Sequence, residues 1–202
     1  MKRKIVVGVS GASGAPYAWR ILSYLAEHAE TLGVEPHIVF SKTGRLVWND
    51  EVGVDVSSFG FPVYRPGDMT APFASGSAGF DAMLLVPCSA GHLARIATGV
   101  STDLLSRAAD VMLKERRRLV LVLRESPYNL VHLRNMVSVT EAGAIVMPAS
   151  PSFYSAPEDL WAFVDTVTAR ALDLVNIDNK LMTRWDGTLQ GARVGAADEG
   201  SS

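Results

Sequence analysis

The sequence predicts a single-domain doubly wound α/β fold, a parallel sheet of Rossmann or flavodoxin-like type with helices on both faces. Three observations support this. Apolar runs of strand length recur at 5–9, 36–40, 82–86, 119–123 and 143–147, and runs that are apolar on both faces suit strands buried between helices. Helical patterns lie between them, which makes the connections crossovers and the sheet parallel. The first run, Ile5 to Val9, passes straight into a turn of small residues, Ser10-Gly11-Ala12-Ser13-Gly14, and then into a helix.

That helix is expected over 15–32, with Ala15, Ile21, Leu22, Leu25 and Ala26 on one side. Its first N–H groups and positive dipole end would lie free beside the turn, which suits an anion. The glycines fall at 8, 11 and 14, outside the G-x-G-x-x-G order, and no G-x-x-x-x-G-K-[ST] occurs, so a mononucleotide fits better than NAD or ATP. The alternative is an ordinary tight strand-to-helix turn. The stretch 53–80 has no clear period and holds Gly60, Pro62, Pro66, Gly67, Pro72, Gly76 and Gly79. It reads as a long functional loop that could cover a ligand or meet a neighbouring subunit. Ser155-Ala156-Pro157-Glu158 has capping-box spacing with proline in the first turn, predicting a helix from there to about 176. Residues 1–191 are assigned to the domain, and 192–202, small and polar, to a frayed tail.

A chain of 202 residues, 48% hydrophobic and 20% charged, suits one core. A net charge of -2 gives no electrostatic reason to bind nucleic acid or an anionic membrane. The basic run Lys114-Glu115-Arg116-Arg117-Arg118 is then a local anion site or a solvated helix end. No apolar run reaches membrane-spanning length, and Met1-Lys2-Arg3-Lys4 leads into a strand without a signal-peptide pattern. The single Cys88 excludes an intramolecular disulfide and fits a reducing compartment. The expected location is cytoplasmic.

In such a sheet the ligand lies outside the carboxyl ends of the strands, which here carry Gly11 to Ser13, Ser41, Pro87 to Gly91, Arg124-Glu125 and Pro148 onward. Ser89 reads either as a phosphate or ring ligand or as a helix cap. His28, His37, His92 and His132 form no i, i+4 pair, and one cysteine makes no thiolate cluster, so no metal is expected. No G-x-S-x-G elbow is present. Arg107 and Lys114, one heptad apart, would project from one helix face. They, Arg124 and Glu125 are either site residues or ion-pair partners. Trp161, Phe163, Met182 and Trp185 read as core or subunit contacts.

Eight blocks carry a further resemblance: Gly8-Val9-Ser10-Gly11-Ala12-Ser13-Gly14, Ser41-Lys42, Ala74-Ser75-Gly76-Ser77, Pro87-Cys88-Ser89, Arg107 to Arg117, Arg124-Glu125-Ser126-Pro127, His132 to Met136 and Pro148 to Tyr154. In this order, over about residues 3 to 186, they resemble UbiX-type flavin prenyltransferases, formerly described as aromatic acid decarboxylases. The resemblance implies metal-independent transfer of a dimethylallyl group from dimethylallyl phosphate to N5 and C6 of reduced FMN. The product, prenylated FMN, would serve a separate UbiD-type decarboxylase, in ubiquinone biosynthesis or aromatic acid decarboxylation. It also implies a homododecamer. By matching motif, Gly11, Ala12, Ser13, Ser41, Arg124 and the stretch Ser89, Ala90, Gly91 and His92 resemble FMN-contacting positions. Tyr154 and Arg170, helped by Arg107, Lys114 and Ser75, resemble the donor-binding set, partly across a subunit boundary. The catalytic roles implied fall on Ser13, Glu51, Glu125, Lys114 and Tyr154.

This set suits the chemistry, because breaking an allylic C–O bond needs charge stabilisation on the departing phosphate. Released phosphate, with a second pKa near 6, could take the ring proton, and 66–80 could keep water out. The chain departs from the family pattern at Met69, near the usual place of a tryptophan. It also has Ser89-Ala90-Gly91-His92 where relatives often have Ser-x-x-Thr, and Arg118 where many have proline. The alternatives are a non-catalytic FMN carrier or accessory subunit, and a flavin-dependent cysteine decarboxylase of the same wider fold. The latter's Pro-Ala-Ser-Ala-Asn-Thr block is replaced here by Pro87 to His92.

Overall fold

A computed structural model describes residues 2–187. Its elements follow in the order β1 (Arg3–Val9), α1 (Ala15–His28), β2 (Val34–Phe40), α2 (Lys42–Glu51), β3 (Val63–Tyr64), β4 (Ala82–Cys88), α3 (Ala90–Ala97), α4 (Leu104–Lys114), β5 (Arg118–Leu123), α5 (Leu130–Glu141), β6 (Ile145–Pro148) and α6 (Leu160–Leu174). The strands pair in parallel in the order β3-β2-β1-β4-β5-β6. The chain therefore winds outward in one direction from β1 and in the other from β4, and the doubly wound fold is the one expected from the sequence. Strand alternation feeds two cores: Ile5, Val7 and Val9 pack with α1, α2 and α6, while Val6, Met83 and Leu85 pack with α3, α4 and α5. Burial on both faces explains why these strands read as continuous apolar runs.

Two glycines set how closely the helices approach the sheet. A Cβ on Gly8 would lie 2.5 Å from Leu105 Cδ1, so α4 lies tightly against β1. A Cβ on Gly44 would lie 2.3 Å from the Val9 carbonyl oxygen, so the first turn of α2 rests directly on the end of β1.

The structure corrects three expectations. The first helix ends at His28 rather than 32, because the Thr31 hydroxyl donates to the His28 carbonyl at 2.9 Å and Gly33 turns the chain at φ +63°. A sixth strand, β3, lies within the expected loop 53–80. Two residues bounded by Pro62 and Pro66 are too short to show a period, and proline is tolerated at a sheet edge. The last helix starts at Leu160, capped by Asp159, whose carboxylate accepts the Ala162 N–H at 2.8 Å. Ser155 does not cap it, since Ala156 adopts φ +48° and breaks the run there. The proposed boundary at 191 and the tail 192–202 lie outside the described residues.

The rest of 53–80 is packed rather than free. Phe73 and Phe80 are buried beside His37, whose Nδ1 lies 3.0 Å from the Tyr64 hydroxyl. The Leu104 N–H donates to the Pro66 carbonyl at 2.7 Å. Among the described residues, no helix is long and apolar enough to cross a membrane.

Gly44→Ala should cost about 2–3 kcal/mol, the upper range for overpacking against a neighbour that cannot move aside. Thermal unfolding should show a melting temperature lower by roughly 4–12 °C; an unchanged value would mean that α2 can lift off β1 freely.

Candidate functional site

The two directions of winding part between β1 and β4, and the turns beyond these strands are laced by one side chain. The Ser10 hydroxyl, wholly buried, donates to the Pro87 carbonyl at 2.8 Å and accepts the Ser89 N–H at 2.7 Å. The Ser10 N–H also donates to Pro87 O at 3.2 Å. Open α/β sheets bind ligands at this kind of switch point.

A cavity of about 460 Å³ opens there, lined by Gly11, Ser41, Lys42, Thr43, Pro66, Gly67, Ser89, His92, Arg95, Thr102 and Asp103. Its size suits a small-molecule ligand. Ser41 caps α2 by accepting the Gly44 N–H at 2.9 Å, and Ser89 caps α3 by accepting the His92 N–H at 3.3 Å. Of the alternatives raised for Ser89, the helix cap is present, and the residue also lines the cavity. A Cβ on Gly11 would lie 2.5 Å from the Thr43 side chain, so only glycine lets that wall close.

Asp103 caps α4 through the Ser106 N–H at 2.7 Å and also faces His92. Burial by itself would raise its carboxyl. The His92 hydrogen bond, those from Ser106 and the His92 charge outweigh burial and hold it well below the usual carboxylate range. Arg95 Nε is buried with no hydrogen-bond partner among the described residues.

The remaining predicted contacts lie around the rim. Arg124, at the end of β5, donates from Nε to the Ser13 carbonyl at 2.9 Å, joining β5 to the turn after β1. Ala12 is buried, Ser13 and Gly91 are exposed, and Ala90 and Glu125 are half-buried. Glu125 accepts the Ser126 N–H at 3.0 Å. The N–H groups at the start of α1, expected to be free, both donate to Glu51 Oε2 at 2.8 Å. Gly14, at the cap position, has no side chain to do this, so a carboxylate from the end of α2 takes its place.

The predicted donor-binding residues form two other groups. Arg107 donates to the Ala74 carbonyl at 3.0 Å and pairs with Asp110 at 2.7 Å, which puts it beside Ser75. Lys114 pairs with Glu115. Tyr154 meets Trp185 edge-on at 5.9 Å between centroids, and Arg170 shares Asp173 with Arg184. Trp161 packs on Trp19 at 4.8 Å and is about half exposed, as is Trp185, so neither is a core residue. Thr43, Arg95, Thr102 and Asp103 were not singled out from the sequence. The Asp103-x-x-Ser106 cap spacing and the placement of Arg95 one turn after His92 were the available signals.

The family model described as Flavoprotein matches residues 1–184. Flavin prenyltransferase UbiX of Methanocaldococcus jannaschii is 40% identical over 185 residues, covering 90% of this chain and 98% of that protein. Its counterpart in Deinococcus radiodurans is 46% identical over 185 residues, covering 90% and 93%. The crystal structure of AnUbiX (PadA1) in complex with FMN and dimethylallyl pyrophosphate superimposes with a TM-score of 0.87 at 42% identity, covering 93% of this chain and all of that one. A dodecameric FMN-dependent UbiX-like decarboxylase from Escherichia coli O157:H7 gives 0.86 at 37%, covering 91% and 100%. The peptidyl-cysteine decarboxylase EpiD, at 0.54 and 18%, shares the fold alone.

Cys88 is fully buried, and burial pushes its thiol up to about 12 against a hydrogen bond from the Leu93 backbone. Thiolate is the reactive form, so the native protein should leave a thiol reagent unconsumed at pH 8 and consume one equivalent once unfolded. Rapid labelling of the folded chain would contradict the placement.

Proposed function

The chain belongs to the UbiX flavin prenyltransferases, and we propose that its switch-point cavity receives reduced FMN, which accepts a dimethylallyl group from dimethylallyl phosphate. The donor set of the cavity carries this reading. The Ser41 and Thr43 hydroxyls, the Lys42 ammonium and the Arg95 guanidinium suit the phosphate and the oxygen-rich ribityl chain of a mononucleotide. Bound reduced FMN would supply N5 and C6 as the atoms that take up the dimethylallyl group.

The protein's part is to hold charge and exclude water. Tyr154 and Arg170 take the donor phosphate, with Arg107 and Lys114 stabilising the charge that grows on it as the allylic C–O bond breaks. Arg124, fixed through Nε to Ser13, offers its remaining N–H groups to the flavin. Glu51 orients the turn around Ser13, Glu125 and the released phosphate handle the proton lost from the ring, and Pro66 and Gly67 wall off solvent.

Arg107, Lys114, Tyr154 and Arg170 do not line this cavity, and on our reading assembly brings them to it. The exposed Leu130, Val131, Leu133 and Val137 of α5, with Phe153 and Leu160, give a surface for it. We read the protein as a cytoplasmic homododecamer whose product passes to a UbiD-type decarboxylase.

Anaerobic incubation with reduced FMN and dimethylallyl phosphate should release phosphate and yield a flavin heavier by one isoprenyl unit. Bound but unmodified FMN would leave the chain a flavin carrier. Arg170→Ala should lower transfer by about 10²–10³-fold with FMN affinity unchanged; equal loss of FMN binding would refute separate sites.

A further inference from the structure

We propose that Arg184 is a further binding residue for the donor phosphate, held beside Arg170 and Tyr154 by Asp173 and Asn179; this rests on the reading that Tyr154 and Arg170 take that phosphate. The motif resemblance named those two and left Arg184 out, yet the structure ties Arg184 to both. Arg170 Nη1 donates to Asp173 Oδ2 at 2.9 Å. Arg184 grips the same carboxylate, with Nη1 on Oδ2 and Nη2 on Oδ1, the latter at 2.8 Å. Two guanidinium groups that share one carboxylate oxygen are close enough to share one phosphate. Tyr154 meets the ring of Trp185, the residue after Arg184, at 5.9 Å between centroids. Its phenol also lies near enough to act electrostatically on the Arg184 guanidinium.

Sharing leaves a surplus of positive charge. Asp173 can neutralise one of its two cations, and Asp178, which also acts on Arg184, does so at longer range without a hydrogen bond to it among the described residues. The bonds to Asp173 and Asn179 engage three of the five N–H groups of Arg184, and Asp173 engages one of the five on Arg170. Both guanidinium groups keep donors for an anion. Their side chains are 55% exposed for Arg170 and 46% for Arg184, against 21% for Asp173, so the carboxylate lies beneath and the cations face solvent.

Stability is a weak reason for this arrangement, because exposed ion pairs contribute little. Arg184 is nonetheless firmly held. Its Nη2 donates to the Asn179 carbonyl at 3.1 Å and to Asn179 Oδ1 at 3.3 Å. Asn179, itself buried, donates to Asp173 Oδ1 at 2.9 Å and to the Ala169 carbonyl at 3.2 Å. Burial would raise the Asp173 carboxyl, but the bonds from Arg184 and Asn179 and the charges of both arginines outweigh it and hold the carboxyl below its usual range. Fixing a long cation in advance removes an entropy cost from ligand binding. The electron pair of the allylic C–O bond leaves with the phosphate, so a second fixed guanidinium meets the charge as it grows.

The test uses the full assembled chain, with inorganic phosphate as a probe that competes with the donor without reacting. Donor KM and kcat, the inhibition constant of inorganic phosphate and the affinity for FMN would be measured in the wild type, Arg170→Ala, Arg184→Gln and Arg184→Lys. Arg184→Gln should raise the phosphate inhibition constant and the donor KM by at least about tenfold, the scale of one charge-assisted hydrogen bond, with FMN affinity unchanged. Arg184→Lys keeps the charge without the fork and should fall between. If Arg184→Gln does not fold, the lysine variant decides in the same way. An inhibition constant that Arg170→Ala raises and the Arg184 variants leave unmoved overturns the role of Arg184 while the donor site stands. An equal loss of FMN affinity would mark Arg184 as structural and overturn it too. If Arg170→Ala leaves the constant unmoved as well, the phosphate binds elsewhere and the donor-site reading falls with the inference.

Discussion

The site depends on one hydroxyl. Ser10 sits where the chain divides its winding, and its oxygen ties the turn after β1 to the turn after β4 by donating to Pro87 and accepting from Ser89. A buried polar group satisfied on both sides stabilises one arrangement, and leaving either partner alone would cost far more than the bonds gain. Gly8 and Gly44 act in the same place by letting α4 and α2 close on β1 without a side chain between. The cavity is thus the space left where two turns are locked together and two helices are drawn in.

A parallel sheet with crossover helices turns helix N-termini toward the carboxyl edge of the strands, and this chain uses that edge consistently. Ser41, Ser89, Asp103, Asn129 and Asp159 each cap the helix that follows them with their own side chain. These caps satisfy the first N–H groups locally while the helix dipoles leave a positive bias along the rim. Lys42, Arg95 and Arg124 add to it, and the carboxylates of Glu51, Asp103 and Glu125 oppose it at the same rim.

What the sequence revealed, and what it hid, follows from range. Strands buried on both faces show as unbroken apolar runs, so five of them and their parallel arrangement could be read directly. β3 could not, because its two residues are specified by pairing with Ile38 and Val39 and not by any pattern of their own. Ser155 had the right spacing for a cap, yet Asp159 serves, since a positive φ at Ala156 intervenes. Gly11, Ser41 and Ser89 could be placed at the cavity because they lie at strand ends, and His92 only through the motif resemblance. Asp103 could not be, since it reaches His92 only when α4 folds back beside α3. Tyr154 and Arg170 are not among the residues that line the cavity, and only motif resemblance singled them out.

Glu51 has a consequence for traffic through the site. Its carboxylate already occupies the two N–H groups at the start of α1 that a free phosphate would otherwise seek. It is attached through the ten residues of α2, so its effective concentration is set by a rigid helix rather than by solution. Any free anion that approaches this helix end therefore meets a resident competitor, and the fold keeps these two donors filled from within.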